Sequence, residues 1–138
     1  MQPFEIVNHT ADISIKAYGK TLKELFENAA TGMFNILADL EGITFSTGLK
    51  IKAEGLDKEE LLISWLDELL YNFYTKQIIF CGFNITELTD KNLTAEVKGR
   101  FIGENKNRLK TEIKAATRHD LRIEKKNDTY EVQIVFDV

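Results

Sequence analysis

Apolar positions along this chain recur with two periods. In "TLKELFENAATGMFNILAD" they fall three and four residues apart, so that Leu22, Leu25, Phe26, Ala29, Ala30, Met33, Phe34 and Leu37 share one stripe. That spacing predicts an amphipathic helix. Thr21 followed three residues later by Glu24 is a capping-box pattern at its start. "DKEELLISWLDELLYNFYTK" predicts a second helix, with Leu62, Trp65, Leu66, Leu69, Leu70 and Phe73 on its buried stripe. Asp57 suits its N-cap, Glu59 and Glu60 the positive end of its dipole and Lys76 the negative end.

Elsewhere the alternation has period two, the signature of half-buried strands. Strands are expected at 4–7, 12–18, within "GITFSTGLKIKAEG", and at 79–88, 93–101, 111–117, 121–126 and 130–138. Asn127-Asp128 in "KKNDTYEV" predicts a tight hairpin turn, and "IGENKNRLK" reads as a polar, mobile loop. The expected fold is α+β: two amphipathic helices packed on a mainly antiparallel sheet system, in one domain over residues 1–138.

Composition narrows the setting. A chain of 138 residues can bury a real core as one domain. No apolar run approaches the ~20 residues of a membrane span, and "MQPFEIVNH" has neither the basic start nor the apolar stretch of a signal peptide. The one cysteine, Cys81 in "IIFCGF", excludes an internal disulfide and reads as a buried structural thiol. These features give the expectation of a cytoplasmic protein.

The net charge of −4 is uneven. Between Lys91 and Lys126 the chain is net about +6, and the remainder about −10. The basic segment includes Lys98, Arg100, Lys106, Arg108, Lys110, Lys114, Arg118 and Arg122. It reads either as a solvated face of alternating strands or as a surface for phosphate or an acidic partner. No run of stacking aromatics accompanies it.

Most familiar chemistries find no residues here. The chain has no phosphate-binding glycine loop, no C-x-x-C pair and no H-E-x-x-H. One Cys with His9 and His119 does not make an ordinary zinc ligand set. The carboxylates say more. Asp12 heads one alternating run, and Asp137 closes another beside the terminal carboxylate of Val138, although strands disfavour Asp. If the two strands are neighbours, three anionic oxygen groups converge, and such groups repel unless compensated. A hard divalent cation compensates them; otherwise each Asp faces water or pairs with a lysine.

Taken together, four stretches resemble the archease family. "NHTADISIKAYGKTLKELFENAATGMFNIL" resembles its opening, where H-T-A-D precedes an aromatic-Gly and an E-x-x-F-E-N-A helix. "LLISWLDELLYNF" resembles its second helix, "TEIKAATRHDLRIEK" its E-I-K-A-x-T-x-H segment and "VQIVFDV" its chain-ending F-D-I/V. The match runs in order along nearly the whole chain. Asn8 replaces an acidic residue common before H-T-A-D, and Arg118 replaces an aromatic before the family's histidine.

The resemblance implies a non-enzymatic protein cofactor of the tRNA-splicing RNA ligase. That ligase works through a guanylylated histidine of its own, with GTP and divalent metal. The implied role is to promote guanylylation and multiple turnover, with any tRNA contact indirect and no membrane involved. The alternative is a chaperone or modulator of a tRNA-modifying methyltransferase. The resemblance also implies a calcium-type site, with Mg²⁺ or Mn²⁺ as other occupants, made by Asp12, Asp137 and an oxygen of Val138. His9, Glu68, Lys114 and His119 are further candidates for shaping the partner surface. A metal-dependent hydrolase would use the same acidic cluster, but no base for it is legible.

Overall fold

The computed structural model of the chain describes residues 2–8 and 12–138. Its elements in order are β1 (Phe4–Asn8), β2 (Ile13–Gly19), α1 (Leu22–Leu37), β3 (Thr47–Glu54), α2 (Lys58–Lys76), β4 (Ile78–Leu88), β5 (Asn92–Phe101), a short 3-10 helix (Gly103–Arg108), β6 (Ala115–Ala116), β7 (Glu124–Lys126) and β8 (Thr129–Asp137). The strands form two antiparallel sheets. One has the order β1-β2-β8-β6, with β7 also on β8, and the other is β3-β5-β4.

The helices begin where their caps dictate. Thr21 Oγ1 accepts the Glu24 N–H at 3.1 Å, and Asp57 Oδ1 accepts the Glu60 N–H at 2.8 Å. The Glu24 carboxylate reaches back to the Lys20 N–H at 3.3 Å, one residue before the cap itself. Helix α1 has no basic residue in its last turn. Lys110, just after the 3-10 segment, supplies a cation there, and Arg108 at the segment's end holds the loop that follows α1. Lys110 Nζ donates to the Asn35 carbonyl at 2.7 Å, and Arg108 donates to the carbonyls of Asp39 and Glu41 at 3.0 and 2.8 Å. The stretch "IGENKNRLK" is therefore an ordered cap on α1 rather than the mobile loop its polarity predicts.

The predicted stripes are the core. Helix α1 packs against strands of both sheets, and α2 against β3, β4 and β6. Trp65, fully buried, ties the helices together by donating its indole N–H to the Phe26 carbonyl at 3.0 Å. Phe34 stands at the centre of an aromatic cluster, 5.6–5.7 Å from the rings of Phe73, Phe80 and Phe83.

One predicted strand is mostly absent. Of residues 111–117 only Ala115–Ala116 pair as strand; the Lys114 and Thr117 N–H groups still bond to β8 carbonyls, the Thr111 N–H bonds to the end of α1, and side chains of α2 hold other backbone groups. Tyr74 Oη donates to the Ile113 carbonyl at 2.7 Å and accepts its N–H at 3.2 Å. Asp67 Oδ1 accepts the Ala116 N–H at 2.9 Å, and Glu59 Oε2 accepts the Ile123 N–H at 3.1 Å. These residues lie close to two helical turns apart, so one face of α2 holds the whole segment. The segment at 121–126 shortens likewise to Glu124–Lys126, which turns into β8 through Asn127 and Asp128 at φ of 50° and 63°. Two positive-φ central residues make the predicted tight hairpin turn.

Candidate functional site

The β2–β8 ladder carries the two candidate carboxylates to one end of the larger sheet. Its terminal pair is Ile13 with Phe136. Asp12 precedes the first and Asp137 follows the second, so the ladder's continuation sets them opposite each other. Inward-facing Ile134 and Phe136 are fully buried against the core, which sends Asp137 to the outer face with Val138 after it. Asp12 and Asp137 line a pocket of about 310 Å³ together with Thr117, His119, Val135 and Phe136.

Asp12 is half-buried, and its Oδ1 is a buried oxygen with no hydrogen-bond partner among the described residues. A buried carboxylate oxygen left unpaired is costly, and native proteins rarely keep one without a use. The carboxylate oxygens of two Asp side chains at one pocket are donors of the kind a hard cation selects. Among the described residues no group of three or more His, Cys, Asp or Glu side chains is arranged to hold a metal ion. The described residues that line the pocket supply two carboxylates, Asp12 and Asp137, with Thr117 and His119 beside them.

The remaining candidates divide. The Lys114 N–H donates to the Asp137 carbonyl at 2.7 Å, which fixes the Lys114 backbone against the end of β8 while its side chain is exposed. Thr117 is pinned twice to Val135: its N–H at 3.0 Å and its hydroxyl at 2.9 Å both donate to that carbonyl. The imidazole of His119 reaches the pocket rim and sits 3.3 Å from the Asp120 carboxylate, both strongly exposed. Glu68 is not at the Asp12–Asp137 pocket. It lines an adjoining groove of about 640 Å³ between α2 and residues 116–118, alongside Asp67, Tyr71 and Arg118. The two cavities share Thr117. His9 lies outside the described residues.

Asp67 is the residue that sequence reasoning passed over. Its carboxyl titrates above the usual aspartate range because burial outweighs both the Ala116 N–H bond and the attraction of Arg118. Its only sequence signal is a charged residue wedged between Leu66 and Leu69 of the buried stripe. Cys81 is half-buried rather than buried. It occupies a bulge in β4, and burial raises its thiol against the opposing pull of Arg100.

The basic segment does not form one patch. Arg108 and Lys110 serve the end of α1, and Arg100 donates to the Thr44 carbonyl and hydroxyl at 2.8 and 2.6 Å. Lys98 stands 5.7 Å from the ring centre of Phe45 on the outer face of the smaller sheet.

Fold and site together define an α+β protein with carboxylates from both ends of its chain gathered at one sheet edge. The Archease protein family (MTH1598/TM1083) matches residues 4–138. "Protein archease" of Methanosarcina barkeri is 39% identical, over 98% of this chain and 95% of its own. The corresponding protein of Sulfurisphaera tokodaii is 38% identical over the whole of both chains. The solution structure of Methanobacterium thermoautotrophicum protein 1598 superposes with a TM-score of 0.79 at 33% identity, over all of both chains. The crystal structure of an archease from Thermotoga maritima, described as a possible chaperone, shares the fold with a TM-score of 0.63 at 24% identity, over 96% of this chain and 94% of that one. The chain belongs to the archease family. Among its described residues no helix is long and apolar enough to cross a membrane.

Proposed function

We propose that this protein is a non-enzymatic cofactor of the cytoplasmic tRNA-splicing RNA ligase, promoting guanylylation of the ligase and its multiple turnover. Family membership over residues 4–138 supports the reading. The observation that carries it is the buried Asp12 Oδ1, without a hydrogen-bond partner among the described residues, in one pocket with Asp137.

Asp12, Asp137 and a Val138 oxygen would hold a divalent cation, Ca²⁺ before Mg²⁺ or Mn²⁺. Calcium accepts a flexible set of six to eight oxygens, which suits an edge built partly of main chain. When bound, the cation supplies positive charge that offsets the three anionic groups and draws oxygen ligands of a partner to this edge. The chain's own residues do the rest. The β2–β8 ladder holds the carboxylates in register, and the Lys114 N–H fixes the Asp137 carbonyl. The exposed Lys114 side chain and His119 flank the edge as partner contacts, and Glu68 extends the contact face into the adjoining groove. An activator of this kind lowers the barrier by ordering the ligase in its guanylylation-competent form.

The test is multiple-turnover ligation by the purified ligase. Turnover continues past one equivalent with this protein present and stops near one equivalent without it. Equal turnover in both arms contradicts the reading. The alternative, a chaperone or modulator of a tRNA-modifying methyltransferase, draws on the description of the Thermotoga maritima relative. The exposed large apolar side chains include Phe45, Leu56, Tyr71 and Phe101, with Tyr74 and Leu109 lining one pocket. Suppression of methyltransferase aggregation without an effect on ligation would favour that alternative.

A further inference from the structure

We infer that Asp67 is a positioning residue for the partner-activating edge, acting through the backbone of residues 113–117; this rests on the ligase reading above. The segment that carries Lys114 and Thr117 beside Asp137 has almost no ladder of its own, since β6 is two residues long. Two side chains of α2 replace the missing bonds. Tyr74 grips Ile113 through both its N–H and its carbonyl, and Asp67 grips the Ala116 N–H. Lys114 sits between the two grips, and its own N–H is spent on the Asp137 carbonyl. Remove the Asp67 acceptor and the backbone from Lys114 to Thr117 is tethered on the helix side by Tyr74 alone.

The two halves of the edge meet along β8 but differ in their further supports. Asp12 and Asp137 are set by the β2–β8 ladder, which Asp67 does not touch. Lys114 and Thr117 are set partly by α2. A fault in the helix clamp then spoils the partner contact while sparing the carboxylate pair.

The bond to Ala116 requires an acceptor in this position, not a charge. An Asn carbonyl oxygen has the same reach and accepts the same N–H. The half-buried carboxylate is even a poor choice for the purpose, because burial disfavours its charged form. This separates a positioning role from an electrostatic one by a single conservative change.

The experiment compares wild type, Asp67→Ala and Asp67→Asn. Far-ultraviolet circular dichroism and thermal melts establish that each is folded at the assay temperature. Amide hydrogen exchange reads the clamp, calcium titration calorimetry reads the carboxylate edge, and ligase stimulation reads function. Asp67→Ala should speed exchange at Ala116 at least tenfold, leave calcium affinity within twofold of wild type and cut ligase stimulation about tenfold. Asp67→Asn should restore slow exchange and full stimulation. A folded Asp67→Ala that stimulates normally overturns the inference. So does an Asp67→Asn that keeps slow exchange but stays inactive, which would assign the role to the charge. If wild type itself neither binds calcium nor stimulates the ligase, the underlying reading fails instead. Should Asp67→Ala not fold, the inference stands or falls on Asp67→Asn and on Tyr74→Phe. Tyr74→Phe removes the companion grip, and it should lower stimulation in the same way.

Discussion

Asp12 and Asp137, far apart in sequence, lie one residue beyond the Ile13–Phe136 pair of the β2–β8 ladder and line one pocket. On the proposal that these two carboxylates hold a divalent cation, binding favours the folded chain. Calcium at a hundredfold its dissociation constant therefore stabilises wild type by about 2.7 kcal/mol, a rise in melting temperature of roughly 5–10 °C for a chain of this size. Asp12→Asn and Asp137→Asn lose that rise. Thermal melts with calcium and with chelator check it, and an equal rise in both variants would remove the carboxylates from the site.

Asp67 predicts a definite pH dependence. Its folded-state carboxyl titrates above its ordinary range. The stability it contributes is fully present below that ordinary range and is lost as pH rises through the raised value. Asp67→Asn removes this term, so its stability relative to wild type improves as pH rises across that window. Asp67→Ala instead leaves the Ala116 N–H without its acceptor and costs about 1–3 kcal/mol. Urea unfolding at several pH values distinguishes the two.

Phe34 is fully buried at the meeting point of three other aromatic rings. Phe34→Ala leaves a cavity among groups held by both helices and β4, and should cost about 3–5 kcal/mol in urea unfolding. A loss below about 1 kcal/mol would mean that the cluster collapses to fill the space.

The scattered basic residues carry a prediction about RNA. Arg100, Arg108 and Lys110 are engaged within the fold. The chain alone should therefore give no tRNA gel shift at micromolar protein in about 0.15 M salt, where electrostatic binding needs many concerted phosphate contacts. A tight shift whose affinity falls steeply with salt would instead make the protein a direct RNA binder.

Much of this architecture is legible from periodicity alone. The stripes of Leu25, Phe26, Met33 and Phe34, and of Leu62, Trp65, Leu66 and Leu69, are buried as their spacing predicts. The Asn127-Asp128 turn lies where its residue types require. What local sequence conceals is backbone satisfied from a distance. Ile113 and Ala116 have the alternating look of a strand, but their partners, Tyr74 and Asp67, lie 39 and 49 residues away. Likewise, nothing in "GENKNR" announces that Arg108 and Lys110 complete α1. At the candidate site, the Asp in each terminal strand is visible as an anomaly of composition. That the two share a pocket depends on the pairing of β2 with β8, which alternation suggests without specifying.

The most direct test of the whole account is the single-turnover rate at which the ligase acquires labelled guanylate. Wild-type protein should raise that rate at least tenfold, while Asp12→Asn and Asp137→Asn, folded by circular dichroism, should leave it near the unassisted value. Full acceleration by both variants would contradict the account.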